Sequence, residues 1–200
     1  SRHRYLAGPD TVRFNELKSA IRDPESRGIW CARGGHGATR IISRIDPSWL
    51  RERPKWLVGF SDITAIHGLS ARAGFCSVHG PNATTISDWS DGALTELWGL
   101  LTDPTTCRFS CVPIQPGRAR GVLLGGNITV LAAMCGTGML PSFRGAIVLL
   151  EDIGERPYKL DRGLTQLVNA GAFDGVRGFA IGQLTKCEDP ENVPERYDAL

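Results

Sequence analysis

Charge of one sign and long apolar runs are both scarce in this chain. Lysine and arginine number 23 against 21 acidic residues, a formal net charge of +2. That balance offers no electrostatic case for nucleic acid or an anionic membrane as partner. No apolar stretch approaches the roughly 20 residues of a membrane-spanning helix. The start, Ser1-Arg2-His3-Arg4, lacks the apolar stretch of a signal peptide. No Cys-x-x-Cys pair occurs among the six cysteines, and Cys107 and Cys111 have no accompanying histidines, so a structural zinc site is not expected. Cys31, Cys76 and Cys135 sit in apolar segments, where free cysteine behaves as a small hydrophobe. A reduced, cytoplasmic protein without metal or cofactor is expected, in which the sequons at Asn82 and Asn127 carry no sugar. There is no initiator methionine, and the chain stops abruptly at Asp198-Ala199-Leu200, so a piece of a longer protein is expected.

What is present is the composition of an ordinary globular protein: 200 residues, 42% hydrophobic and 22% charged. Asp10 or Thr11 can cap a helix that buries Val12, Leu17, Ala20 and Ile21 and stops at Asp23-Pro24. Gly28 to Ala32 reads as a strand entering the loop Arg33-Gly34-Gly35-His36-Gly37, followed by a helix with Ile41, Ile42 and Ile45 inward. Asp46-Pro47 caps and opens another short helix. Trp56 to Val58 is a further strand. Ile63, Ile66 and Leu69 then recur at helical spacing as far as Gly74. Phe75 to Val78 is a strand that delivers His79-Gly80-Pro81, and Leu94, Leu97, Trp98 and Leu101 mark a helix closed by Asp103-Pro104. Strands alternating with helices at this spacing predict a parallel sheet covered on both faces.

Residues 107–120 change character. Pro113, Pro116, Gly117, Arg118 and Arg120 read as a linker between an N-terminal domain, 1–106, and a C-terminal domain, 121–200. In the second part, Gly121 to Leu124 reads as a strand and Gly125-Gly126-Asn127 as a turn. Ile128 to Cys135 is a small-residue helix, Ala146 to Leu150 a strand ending in Glu151-Asp152, Tyr158 to Ala170 an amphipathic helix, and Phe179 to Ile181 a last strand.

The stretch Trp56 to Thr64 carries the first chemical candidate. Ser61 stands where a strand hands over to a helix, beside the unpaired N–H groups of the helix's first turn. The G-x-S-x-G nucleophile elbow has the same logic, but Ile63 occupies its last position. Taken by itself, the stretch reads first as a helix cap made by Ser61 or Asp62. The loop Gly34 to Gly37 can bind an anion, complete an oxyanion hole for Ser61, or serve as a tight connection. It lacks the Lys-Ser/Thr of a P-loop and does not match G-x-G-x-x-G. Glu151 can orient a histidine base or can be a solvated strand end. Among the histidines, His67 lies well round the helix from Ser61, His3 is terminal, His36 is in the glycine loop, and His79 is at a strand end. Read from these residues alone, the chain offers a nucleophile and a carboxylate without a settled base.

Together these stretches resemble the LD-carboxypeptidases, a serine-peptidase family that includes the microcin-C immunity peptidases. The likeness rests on Tyr5-Leu6-Ala7-Gly8, Ile29 to Arg40, Gly59-Phe60-Ser61-Asp62-Ile63-Thr64 and His79-Gly80-Pro81. It continues through Leu124-Gly125-Gly126-Asn127, Leu150-Glu151-Asp152 and Tyr158-Lys159-Leu160-Asp161-Arg162, in family order. The resemblance implies an α/β fold: a flavodoxin-like N-terminal domain with a parallel sheet, its first strand and helix missing, and a smaller, β-rich, incomplete C-terminal domain. It implies Ser61 as nucleophile and Glu151 as the carboxylate of a Ser–His–Glu triad. The N–H groups of Asp62 and of Gly34 or Gly35 would form the oxyanion hole, and Asp62 becomes the expected cap. His36, where the family usually has tyrosine, is expected along the substrate pocket with His79, Gly126 and Asn127. The family's triad histidine follows the glutamate in a Gly-His motif that this chain lacks, so it is expected beyond Leu200 and the chain alone is expected to be inactive. The implied activity is release of the terminal D-alanine from murein tetrapeptides through an acyl-enzyme, in cytoplasmic wall recycling, by a homodimer without metal. Two alternatives are a microcin-C immunity-type peptidase acting on peptidyl or aminoacyl nucleotides, and an inactive binding module.

Overall fold

The computed structural model describes residues 3–106, 108 and 110–188. Ser1, Arg2, Cys107, Phe109 and residues 189–200, all covered by the sequence reading, lie outside the described residues.

Two three-stranded parallel sheets carry the chain. In the first, β1 (Gly28–Trp30) pairs with β2 (Trp56–Gly59), which pairs with β3 (Val78–His79), in the order β1-β2-β3. In the second, β4 (Leu123–Asn127), β5 (Ile147–Ile153) and β6 (Gly178–Thr185) follow in the order β4-β5-β6. Parallel neighbours need crossover connections, and helices supply most of them: α2 (Pro47–Glu52), α3 (Thr64–Ala73), α5 (Ile128–Met134) and α6 (Pro157–Asn169). Helix α1 (Asp10–Arg22) precedes the first sheet, and α4 (Asp91–Thr102) follows it.

Several local expectations hold for stated reasons. Asp46 accepts the Ser48 N–H at 2.8 Å, so it caps α2, with Pro47 as first residue. Gly74 closes α3 in a left-handed conformation. Others change. Helix α1 has Pro9 at its cap position and no side-chain cap, and its buried residues are Phe14 and Ile21, while Val12 is exposed. The helix expected after the glycine loop is two short 3-10 turns, Ala38–Arg40 and Ile42–Arg44, although Ile41, Ile42 and Ile45 do face inward. The strand expected from Phe75 is confined to Val78 and His79.

The largest correction concerns Gly125-Gly126-Asn127, which is the end of β4 and not a turn. All three residues keep parallel register with β5, Gly125 opposite Leu149, Gly126 opposite Leu150 and Asn127 opposite Glu151. The two glycines hold φ of 123° and 140°. A Cβ at Gly125 would stand 2.0 Å from the Leu149 carbonyl oxygen, and one at Gly126 would stand 2.5 Å from Thr64 Oγ1. Close approach of β4 to its neighbour and to the start of α3 therefore requires glycine at both positions.

One buried cluster draws on both halves. Leu57, Ile63, Ala65 and Ile66 from the first half pack with Ile128, Leu131, Met134, Val148, Leu160 and Leu167 from the second. Val148 and Leu167 are completely buried, and truncating a leucine at such a site costs about 2–5 kcal/mol. Among the described residues, no helix is long and apolar enough to cross a membrane.

Candidate active site

Strand β2 ends at Gly59, and Phe60 continues it with φ −149° and ψ 179°. Ser61 then turns to φ +66°, one of three non-glycine residues with positive φ among those described. A left-handed residue with a Cβ costs about 1–2 kcal/mol, and such strain collects where surrounding structure forces it. The 3-10 turn Ser61–Ile63 leads directly into α3, and no side chain caps either helical start. Neither Ser61 nor Asp62 is thus the cap of α3.

Asp62 has another task. Its Oδ2 accepts the Ala38 N–H at 2.8 Å, holding the first residue of the turn that follows the glycine loop. Burial pushes the Asp62 carboxyl up, against the pull of the Ala38 N–H and the charges of His36 and Arg13. On the loop's other side, Arg13 donates to the Gly37 carbonyl at 2.9 Å. Arg13 is steadied by Asp10, which Arg40 also grips; these two guanidinium groups, Arg40 first, hold the Asp10 carboxyl down to about 2. Gly34 lies against the serine: a Cβ there would stand 3.0 Å from Ser61 Cβ. Gly35 is exposed, with nothing within 4 Å of its Cβ position.

The remaining candidates separate clearly. His36 is exposed and lies against the Tyr5 ring, centroids 5.8 Å apart. His67 is buried with both ring nitrogens engaged, Nε2 on the Gly59 carbonyl and Nδ1 on Ser77 Oγ, each at 2.8 Å. Since the carbonyl can only accept, Nε2 carries the proton. His79, paired with Gly59 across β2 and β3, sits 5.8 Å from His67 and 6.3 Å from Phe60, ring centre to ring centre.

Across the gap between the sheets, His79 Nε2 approaches Glu151 Oε1 at 3.7 Å, a near approach but not a hydrogen bond. His79 Nδ1 and Glu151 Oε1 are both buried without a hydrogen-bond partner. Burial and the adjacent Asp152 charge push Glu151 up to about 7, with the Asn127 amide opposing. Burial, with His67 beside it, pushes His79 down to about 4. Both groups therefore favour their neutral forms near pH 6. Asp152 faces the other way and is fully engaged: it accepts from Asn127 Nδ2 at 2.8 Å, Thr129 N–H at 3.0 Å, Thr129 Oγ1 at 2.8 Å and its neighbour Ile153. Asn127 caps α5 through Val130 N–H, and its own N–H donates to Thr64 Oγ1 at 3.0 Å. Gly126 and Asn127 thus bind the second sheet to the start of α3, beside the Ser61 turn.

The structure collects Ser61, Asp62 and Gly34 at the end of β2 and brings Glu151 to the same end of the first sheet through His79. It leaves His36 exposed beside Tyr5. Asn82 is the residue that sequence reasoning missed. Its side chain is buried against Phe60, accepting from Phe60 N–H at 3.3 Å. Its position just after the strand-end His79-Gly80-Pro81 is the signal that the sequence offers for it.

Comparison with known proteins matches residues 1–80 to the LD-carboxypeptidase N-terminal domain and residues 120–200 to the LD-carboxypeptidase C-terminal domain. A Synechocystis protein that bears a carboxypeptidase name is 40% identical over 195 residues, covering 97% of this chain and 64% of the relative. The murein tetrapeptide carboxypeptidase of Pseudomonas aeruginosa is 34% identical over 204 residues, covering 96% of this chain and 66% of the relative. The chain thus spans a little under two thirds of the length of these relatives. Among solved structures, the muramoyltetrapeptide carboxypeptidase from Oxalobacter formigenes superposes with a TM-score of 0.83 at 29% identity, over 94% of this chain and 67% of that one.

Proposed function

The chain belongs to the LD-carboxypeptidase family, and from that premise we propose that it carries the nucleophile half of a serine carboxypeptidase acting on murein tetrapeptides. The observation that carries the reading is the left-handed Ser61 at the end of β2, with Gly34 against it. A serine held in that conformation presents its hydroxyl at the strand end, free of the helix it precedes.

In the proposed reaction, a histidine takes the Ser61 proton as Oγ attacks the carbonyl of the bond before the terminal D-alanine. The N–H groups of Asp62 and of Gly34 or Gly35 donate hydrogen bonds to the carbonyl oxygen as it becomes negative. The histidine then passes its proton to the departing amine, D-alanine leaves, and water splits the acyl-enzyme. Glu151 orients that histidine, and its unpartnered Oε1 is a suitable acceptor for the ring N–H. The family resemblance implies a triad histidine downstream of the glutamate, and none of His3, His36, His67 and His79 follows Glu151 in the chain. We therefore assign the base to a residue outside these 200 and expect no turnover from them alone. The compartment proposed is the cytoplasm, in wall recycling, and the assembly a homodimer.

The test is release of D-alanine from a murein tetrapeptide by the protein at the full length its gene encodes, beside its Ser61→Ala variant. Loss of turnover by about 10⁴-fold or more supports the reading. Turnover that survives in Ser61→Ala overturns it. Hydrolysis of peptidyl or aminoacyl nucleotides, with the tetrapeptide untouched, would move the substrate assignment to the immunity-type peptidases.

A further inference from the structure

We propose that Asn82 is a positioning residue for Ser61, a buried amide that grips both backbone polar groups of Phe60 and so fixes the geometry of the next residue. The proposal rests on the reading of Ser61 as nucleophile and adds to it the part that holds the serine in place.

Asn82 is 2% exposed. Phe60 N–H donates to its Oδ1 at 3.3 Å, and its Nδ2 donates to the Phe60 carbonyl at 3.5 Å. One side chain therefore meets the donor and the acceptor of a single residue. Both contacts are longer than an ordinary N–H···O bond, and both are within reach while Phe60 stays extended, as it does at φ −149° and ψ 179°. The next residue then reverses to +66°. A buried amide that loses its partners is disfavoured, so departure of Phe60 from this conformation is penalised at the position where Ser61 needs support.

The amide is itself anchored on both sides in sequence. Ahead of it, the Pro81 carbonyl accepts Trp30 Nε1–H at 2.7 Å. Behind it, Ala83 N–H donates to the Cys31 carbonyl and Thr84 N–H to the Ala32 carbonyl, each at 3.0 Å. The Asn82 carbonyl accepts from Thr85 N–H at 3.0 Å and Thr85 Oγ1 at 3.1 Å. Asn82 is thus fastened to the end of β1 while its side chain acts on the end of β2. Room for it comes from missing side chains. A Cβ on Gly59 would stand 3.0 Å from Asn82 Oδ1, and one on Gly34 would stand 3.3 Å from Nδ2. The loop that supplies the proposed oxyanion-hole N–H and the turn that supplies the nucleophile therefore touch the same amide.

The experiment follows Phe60 and Ser61 by NMR in the protein at the full length its gene encodes, unaltered and as Asn82→Leu, with Asn82→Asp as a second variant. In the unaltered chain, Phe60 N–H is expected to be protected from deuterium exchange, and the Ser61 backbone carbon shifts to report a left-handed residue. In Asn82→Leu, exchange at Phe60 should rise about tenfold or more as its acceptor is lost, and the Ser61 shifts should leave the left-handed range. Asn82→Asp keeps the Oδ1 acceptor and loses the Nδ2 donor. It should retain the Phe60 protection while shifting Ser61, and it is informative even if the leucine variant does not fold. An unprotected Phe60 N–H in the unaltered chain, or a folded variant with Phe60 and Ser61 unmoved, overturns the proposal. In the protein at the full length its gene encodes, Asn82→Asp should lower kcat about 100-fold with little change in KM, as misplacement of a reacting group does. No D-alanine release by that unmutated protein, with Phe60 and Ser61 still following Asn82, would remove the tetrapeptide reading and leave the positioning role standing.

Discussion

The carboxylate of Asp62 and the amide of Ala38 join two turns that are 24 residues apart, through a single 2.8 Å hydrogen bond. One turn presents Ser61, and the other is the exit from the glycine loop. The bond sets the distance between the proposed nucleophile and the proposed oxyanion-hole donors. It is buried, so its loss cannot be made good by water. Asp62→Ala should destabilise the chain by about 1–3 kcal/mol, the usual cost of a buried amide without an acceptor. Asp62→Asn, which keeps an oxygen for Ala38, should cost less. Urea denaturation of the two variants decides the point, and equal losses would show that the bond contributes nothing.

Strain at Ser61 has a separate signature. Glycine takes a φ of +66° without penalty, whereas alanine does not. Ser61→Gly should therefore be more stable than Ser61→Ala by about 1 kcal/mol, although both lack the hydroxyl. Equal denaturation midpoints would show that the turn is unstrained.

The approach of His79 to Glu151 leads to a pH prediction. Glu151 is raised from 4.5 to about 7 in the folded chain. The folded state therefore holds a proton that the unfolded state has released, and stability falls as pH rises across that interval. His79 is lowered from 6.5 to about 4. The unfolded state holds the extra proton there, and stability rises with pH across that interval. The two slopes oppose each other where they overlap. Glu151→Gln removes one of them, so its stability relative to the unaltered chain should grow from about pH 4.5 to about pH 7 and stay level above. Thermal unfolding across that range is the measurement. A difference that does not vary with pH would show Glu151 to be an unperturbed carboxylate.

Gly125→Ala tests the corrected strand. The added methyl would meet the Leu149 carbonyl oxygen at 2.0 Å, in a backbone conformation of φ 123°. The sheet must part there, and a loss above about 3 kcal/mol is expected, beyond the ordinary range for one substitution. If Gly125 were in a solvent-exposed turn, the same change would cost about 1 kcal/mol.

Much of the architecture could be read from the chain because it follows local periodicity. Leu57 and Val58, then Ile63, Ile66 and Leu69, announce a strand and a helix without help from the rest of the molecule. Asp46-Pro47 and Gly74 carry their own terminating chemistry. What could not be read depends on partners far along the sequence. Gly125-Gly126 has the composition of a turn, and only its contacts with Leu149 and Thr64 make it a strand. Asp62 has the composition of a cap, but the amide it reaches belongs to Ala38. Asn82 resembles a surface sequon until the first sheet closes over it. Ser61 was placed correctly at the strand-to-helix junction, whereas its positive φ is a property of the assembled surroundings and not of the residue type.

The buried cluster shared by the two halves has a further consequence for how the chain can be handled. Leu57, Ile63 and Ile66 meet Leu131, Met134 and Leu167 in one interior, while residues 110–122 between the halves are exposed throughout. The first part of that connection is a tether, while its last residues are fastened to the second half, the Arg120 carbonyl accepting from Arg177 at 2.8 Å and the Val122 carbonyl from Ile147 N–H at 2.9 Å. Trypsin cutting at Arg118 would leave two fragments that elute together; the second fragment made alone would lose the Leu57, Ile63 and Ile66 side of its interior, while the first would keep the cluster of Phe14, Ile21, Ile45 and Leu69.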